Sequence, residues 1–260
     1  MNIVVCIKQV PNTNEVRLDP VTGTLIREGV PSIINPDDKA GLEAALRLKD
    51  EQGAHVTVLS MGPPQADAAL REALAMGADE AILVTDRAFG GADTLATSTT
   101  IAAALKTLPY DLILTGRQAI DGDTAQVGPQ IAEHLGIPNV SYAEDLKVEG
   151  NEVTVKRQYE DRYHIIKVKM PCLITALSEL NQPRYMTPGG IFDAYREKEV
   201  KILTRADLEV DDTAIGLKGS PTRVWKTFTK SLKAAGQQVT LDPQESADYM
   251  MEKLREKFII

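Results

Sequence analysis

Through its first 135 residues the chain alternates short apolar runs of strand length with helical stretches that carry a single apolar stripe, and this alternation leaves few folds open. Residues 2–8 read as a buried strand. Asn35-Pro36-Asp37-Asp38 then opens a helix with an N-cap, a proline at the first helical position and two acids in the first turn. Gly53 closes that helix, and Leu42, Ala45, Leu46 and Leu48 form its stripe. A strand at 55–61 follows, then a helix at 65–76 striped by Ala66, Ala69, Leu70, Ala73 and Leu74, with Gly77 as its C-cap. The series continues with a strand at 81–85, a glycine-rich loop at 89–92, a helix from 93 to 106, a strand at 111–115 and a helix at 125–135. Repeated β-α-β units impose right-handed crossovers, so the expected class is α/β: a doubly wound, mostly parallel sheet with helices on both faces.

The second half departs from that scheme. Period-2 runs at 152–158 and 163–170 predict an antiparallel hairpin that extends the sheet, and 173–176 adds a short strand. After Leu177 the turn-forming strings Asn181-Gln182-Pro183-Arg184, Thr187-Pro188-Gly189-Gly190 and Lys218-Gly219-Ser220-Pro221 dominate, with one short helix expected at 192–197. A loop-rich stretch of that length, 178–230, is expected to lie on a partner and not on its own sheet. Its aromatic residues Tyr185, Trp225 and Phe228 would otherwise be an exposed liability. The final helix, 243–257, carries Ala247, Met250, Met251 and Leu254 at helical spacing. The expected organisation is an α/β domain at 1–177 and a C-terminal partner-binding arm and terminal helix at 178–260.

Composition narrows the function. A formal net charge of −8 and a pI near 5.1 disfavour nucleic acid, which is gripped by neutralising phosphates with cations. No apolar run approaches the roughly 18 residues of a membrane span, and the N-terminus turns polar too quickly for a signal peptide. A cytoplasmic location is therefore expected. Cys6 and Cys172 each sit in an apolar run as small buried residues, and His55, His134 and His164 are scattered without metal-ligand spacing.

The most informative string is Gly116-Arg117-Gln118-Ala119-Ile120-Asp121-Gly122-Asp123-Thr124-Ala125-Gln126-Val127-Gly128, between the strand at 111–115 and the helix that follows. In an open parallel sheet the carboxyl end of a strand faces the ligand crevice, and the next helix N-terminus offers unpaired N–H groups and about half a positive charge to a phosphate. By spacing alone this is equally an ordinary connection with Asp123 or Thr124 as N-cap. The wording of the loop resembles the adenosine-phosphate loop of the electron transfer flavoprotein β subunit. The resemblance extends to Cys6-Ile7-Lys8-Gln9-Val10-Pro11, Ile34-Asn35-Pro36-Asp37-Asp38, Met61-Gly62-Pro63-Pro64, Ala73-Leu74-Ala75-Met76-Gly77-Ala78-Asp79 and Pro183-Arg184-Tyr185, and so covers nearly the whole chain.

That resemblance implies an adenine-nucleotide-binding, Rossmann-like domain in a heterodimer with a larger α subunit that carries FAD. The segments matching the family's nucleotide contacts are Cys6, Asn35 to Asp38, Met61 and Asp121 to Ala132, with Asn35, Asp38, Asp121, Gly122, Asp123, Thr124, Ala125, Gln126, Val127 and Gly128 as the expected cofactor residues within them. Ordinary members hold AMP, whereas flavin-bifurcating members hold a second FAD. The string Asp86-Arg87-Ala88-Phe89-Gly90-Gly91-Ala92-Asp93-Thr94-Leu95-Ala96-Thr97 resembles the bifurcating version. In the loop that starts at Phe89, Gly90 and Gly91 would let backbone approach a planar ring, Asp93 would cap the helix, and Thr94 and Thr97, at i and i+3, would share one face toward it. A solvated, threonine-rich helix start accounts for the same residues without a ligand. Arg117 would stabilise reduced, anionic states of the ring, where its plain alternative is a surface salt bridge.

In such a complex the resemblance implies NADH as the donor, with one electron passing to ferredoxin or flavodoxin and the other through the α-subunit FAD to an acyl-CoA, enoyl-CoA-type or lactate dehydrogenase. Pro183, Arg184, Tyr185, Met186, Thr187 and Pro188 match the segment by which the family recognises its dehydrogenases. No nucleophile, triad or carboxylate pair suggests chemistry by the side chains themselves, so no activity is expected from this chain alone. A non-bifurcating carrier holding AMP, and a stand-alone ATP- or AMP-binding regulatory domain, are the competing expectations.

Overall fold

The computed structural model describes residues 1–12, 31–222, 225 and 236–260. Phe228, and the rest of the expected arm at 223–224 and 226–230, lie outside them. The described chain divides into two compact units, Met1–Val224 and Trp225–Ile260.

In the first unit the strands are β1 (Asn2–Cys6), β2 (Gln9–Pro11), β3 (Ser32–Ile34), β4 (His55–Met61), β5 (Glu80–Val84), β6 (Leu112–Gly116), β7 (Asn139–Glu149), β8 (Glu152–Gln158), β9 (Tyr163–Lys169), β10 (Cys172–Ala176) and β11 (Val200–Leu203). The helices are α1 (Pro36–Gln52), α2 (Asp67–Met76), α3 (Thr94–Leu105), α4 (Val127–Leu135) and α5 (Pro188–Arg196). Among the described residues nine strands form one sheet in the order β11-β5-β4-β1-β6-β10-β7-β8-β9. Every pairing from β11 to β7 is parallel, whereas β7-β8-β9 is an antiparallel meander. The class is therefore the expected α/β one, with β2 and β3 forming a separate antiparallel ribbon.

Side-chain alternation along the buried strands splits the core into two layers. Ile3, Val5 and Ile7 join α1 and α2 on one face, while Val4 and Cys6 join α3 and α4 on the other. Strands buried on both faces are apolar throughout, which is why they are so legible as runs.

Downstream of Leu177 the structure departs from the expected arm. β11 adds a parallel edge strand to β5, α5 starts at Pro188 and lies against α2, and the unit boundary falls after Val224. The physical reason is that Val200-Lys201-Ile202-Leu203 needs only one hydrogen-bonding neighbour. As an edge strand it keeps Lys201 and Ile202 exposed and buries Leu203. In the second unit, α6 (Pro243–Glu256) is closed at its start by a reciprocal Asp242–Glu245 capping box.

Candidate functional site

From β1 the chain winds outward one way to β4 and β5, then returns to place β6 and β10 on the other side of β1. The reversal between β1 and β6 is a topological switch point, where strand-end loops diverge and a crevice opens at the carboxyl edge. A cavity of about 1020 Å³ lies there. It is walled by the segments following β1, β4, β5 and β6, and β2 contributes at its rim. This is at or above the upper end of the roughly 300–1,000 Å³ of small-molecule pockets. Every cofactor residue predicted from sequence lines it except Asn35.

The start of α1 explains the exception. Asn35 is fully buried, and its amide is spent on the loop after β6: Nδ2 donates to the Gln118 carbonyl at 2.8 Å and Oδ1 accepts from Ile120 N at 3.1 Å. Asp38 accepts from the N–H of Lys8 at 2.7 Å and of Gly116 at 2.9 Å. Asp37 accepts from Ser178 N at 3.1 Å. Three neighbouring side chains thus fasten the chain after β1, β6 and β10 around one point. Asn35 and Asp38 act first on the protein itself, with Asp38 also forming cavity wall. Burial pushes Asp38 up to about 7 even against these hydrogen bonds, and it pushes Cys6 up to about 12, helped by the Asp38 charge. Cys6 is thus a small apolar wall element and not a reactive thiolate.

The loop after β5 is held from behind by 205–222. Asp86 accepts from Arg205 N at 3.1 Å, Leu217 N donates to the Gly90 carbonyl at 3.0 Å, and Asp93 N donates to Ser220 Oγ at 2.8 Å. Asp93 also caps α3, accepting from Leu95 N and Ala96 N at 3.0 and 3.1 Å, while its second oxygen binds Thr222. Gly91 has φ 73°, which favours glycine, and a Cβ there would meet Leu217 at 3.3 Å. The chain's own geometry accounts for that glycine.

The loop after β6 has an unusual backbone. Asp123 and Ala125 have φ 49° and 53°, and Gln126 returns to the right-handed region; such alternation turns successive N–H groups into one concavity. The helix starts two residues later than expected, at Val127, and Gln126 makes no side-chain cap. Asp123, one expected cap, instead accepts from Gln118 Nε2 at 2.9 Å. The first-turn N–H groups of α4 are thereby left without a side-chain cap beside the cavity. Gly128 is needed because a Cβ would lie 2.7 Å from Thr115 Oγ1 and 2.8 Å from Thr175 Cγ2. Across the mouth Lys8 Nζ pairs with both carboxylate oxygens of Asp121 at 2.7 and 2.8 Å, and Thr94 Oγ1 donates to Gln126 Oε1 at 3.0 Å.

Arg117 lies on the cavity wall with Nε 3.4 Å from Asp37 Oδ2, so the salt bridge weighed as its plain alternative is present and the side chain faces the cavity as well. Burial raises Asp37, with the Arg117 charge opposing it.

The segment 183–188 lies away from the cavity. Arg184 turns inward, its Nε and Nη2 on Glu43 at 2.9 Å and Nη2 also on Asp50 at 2.8 Å. Thr187 caps α5 through Gly190 N at 3.0 Å, and Pro188 is its first residue. Tyr185, 95% exposed, and Met186 remain available on the outside. Sequence reading gave no site role to Lys8, Thr115 and Thr175, and placed Asp37 only within the matching segment 35–38.

A family model described as the electron transfer flavoprotein domain matches residues 22–208. The chain is 63% identical, over the full length of both, to the electron transfer flavoprotein subunit beta of Clostridium acetobutylicum. It is 56% identical to subunit CarD of the caffeyl-CoA reductase-Etf complex of Acetobacterium woodii, and 48% to the acryloyl-CoA reductase electron transfer subunit gamma of Anaerotignum propionicum, again over the whole of each. With a switch-point cavity walled by the strand-end loops and this similarity from end to end, the chain belongs to the electron transfer flavoprotein family, on its β-subunit side.

Proposed function

We propose that this chain is the FAD-binding small subunit of a flavin-bifurcating electron transfer flavoprotein, working in the cytoplasm as a heterodimer with an α subunit. The observation that carries this is the cavity's extent: about 1020 Å³, reaching from the start of α4 at 124–128 to the loop at 86–97, at the upper end of the roughly 300–1,000 Å³ of small-molecule pockets. The donor chemistry fits. Backbone N–H groups at the start of α4 would hold a diphosphate, and the wall formed by Phe89, Gly90, Thr94, Thr97 and Arg117 would take the ring. The chemistry FAD supplies when bound is acceptance of a hydride from NADH and release of single electrons, one to ferredoxin or flavodoxin and one toward the α-subunit FAD. The protein's part is position and electrostatics. Lys8–Asp121 and Thr94–Gln126 tie opposite walls together, and Arg117 biases the potential toward negative charge.

The relatives named for caffeyl-CoA and acryloyl-CoA reductases support a dehydrogenase or reductase partner of the acyl-CoA or enoyl-CoA class, and lactate dehydrogenase is the other candidate. Exposed Tyr185 and Met186 would meet that partner. Quantifying flavin and adenine nucleotide released from the purified heterodimer tests the proposal. Two FAD per heterodimer are expected, whereas one FAD and one AMP would leave a non-bifurcating carrier.

A further inference from the structure

We infer that Tyr142 is a positioning residue for Arg117: a bulge in β7 turns its ring under the guanidinium and holds that charge at the cavity wall. The inference uses the FAD assignment for one of its readouts.

Between the pairs Ile174–Val140 and Ala176–Ala143, β7 places two residues, Ser141 and Tyr142, opposite one residue of β10, Thr175. The register with β8 slips immediately after it, between Ala143 and Asp145. Within this bulge Tyr142 adopts φ 62°, which a bulky residue takes only when its surroundings over-determine it. Its N–H donates to Thr175 Oγ1 at 3.1 Å in place of a ladder partner. Bulges re-aim side chains, and they concentrate beside functional sites.

The re-aimed ring has the Arg117 guanidinium 5.9 Å from its centroid, and Arg157 is equally distant. On its other flank Arg117 meets Asp37, whose second oxygen is fixed by Ser178 N. The two supports differ in kind. A carboxylate holds the guanidinium by cancelling its charge, and alone it would draw the group back from the cavity. An aromatic face holds it without a counter-charge, which leaves a net positive field toward whatever occupies the cavity. Arg117 lines the cavity and Tyr142 does not, so any influence of Tyr142 on a ligand must pass through Arg117.

The test is a cycle in the intact heterodimer: Tyr142→Gly, Tyr142→Phe, Arg117→Ala and Tyr142→Gly with Arg117→Ala. Glycine accepts φ 62° without steric cost, so the bulge survives the loss of the ring. The side-chain Nε–H resonance of Arg117 should move in Tyr142→Gly, as the ring current is removed, and stay in place in Tyr142→Phe. With FAD bound, Tyr142→Gly should shift the reduction equilibrium of this site roughly threefold to tenfold, in the direction of Arg117→Ala. It should add nothing once Arg117 is gone. An unmoved Arg117 resonance, or a shift that persists at full size without Arg117, would overturn the inference. Were the wild-type site to hold AMP, the FAD assignment would fall, and broadening or exchange of the Arg117 side-chain resonances in Tyr142→Gly, against sharp ones in wild type and Tyr142→Phe, would still decide the role of Tyr142.

Discussion

Asp38 and Gly116, 78 residues apart in the chain, meet through a buried hydrogen bond of 2.9 Å from the Gly116 N–H to Asp38 Oδ1. The bond fastens α1 to the end of β6 at the switch point, and the other oxygen of the same carboxylate does likewise for Lys8 after β1. A Cβ at residue 116 would collide with Asp38, so the pair is matched sterically as well.

Asp38→Asn should therefore be destabilising, by about 1–3 kcal/mol, since an amide group turned toward one of two buried N–H donors cannot accept from it. The pH dependence is distinctive. A carboxyl raised to about 7 by burial binds a proton more tightly folded than unfolded, so its contribution to stability falls as pH rises from about 4 to about 7 and then levels. The variant lacks this limb, and its deficit relative to wild type should shrink over that window. Urea unfolding at several pH values checks this; a deficit that grows with pH would contradict the assignment.

Grip on the phosphates and tuning of the ring should separate by mutation. Gly128→Ala should empty the site while also disturbing the start of α4, because the new methyl meets Thr115 and Thr175. On the proposed FAD assignment, Arg117→Ala should retain the flavin and lower its potential, by roughly 30 mV for a tenfold loss of preference for the reduced, more negative form. Thr94→Val should have a smaller effect, as the Thr94 hydroxyl is already engaged by Gln126. Flavin content and spectroelectrochemical titration distinguish them, and equal flavin loss in all three variants would assign Arg117 and Thr94 to holding the nucleotide.

The legibility of these features follows from their physics. Central strands such as Leu112–Gly116 are buried on both faces and stand out as apolar runs, whereas β11 and the solvent-facing β7 carry charge and hide. Most of the cavity wall was readable because it falls in strand-end loops, which sheet topology brings together. Left-handed backbone at Asp123, Ala125 and Tyr142 was not readable, since no glycine marks it. Nor did the residue types at 35–38 reveal that their polar atoms face inward, because a helix start rich in Asn and Asp looks the same whether it binds a ligand or its own loops.

Arg184→Ala should act on partner docking without touching the cavity. Glu43 is buried and would lose its counter-ion, but a third of the Arg184 side chain faces water, so the cost should be about 2 kcal/mol, below the roughly 3–5 of a fully buried pair. Freed from α1, the segment bearing Tyr185 and Met186 should weaken dehydrogenase binding with flavin content unchanged. Tyr185→Ala should match that loss of affinity at wild-type stability. Undiminished binding in both variants, measured by titration, would remove 183–188 from the interface.

Truncation separates the two units. Ending the chain after Thr222 keeps β11 and the hydrogen bonds of Ser220 and Thr222 to Asp93, so the α/β unit should fold and retain its cavity. Deleting 178–222 should instead collapse it, because the loop at 86–93 then loses the backing of Arg205, Leu217 and Ser220. Among the described residues, the unit Trp225–Ile260 has the opposite character: a capped helix of 14 residues, marginal in water on its own, with Trp225, Met250, Met251, Phe258, Ile259 and Ile260 exposed. Apolar surface of that extent calls for a partner, and the α subunit is the expected one. The chain truncated after Thr222 should accordingly keep a cooperative unfolding transition, with circular dichroism reduced only by the contribution of α6, and lose co-purification with the α subunit. Retention of the α subunit at wild-type stoichiometry would place the heterodimer contact on the α/β unit instead.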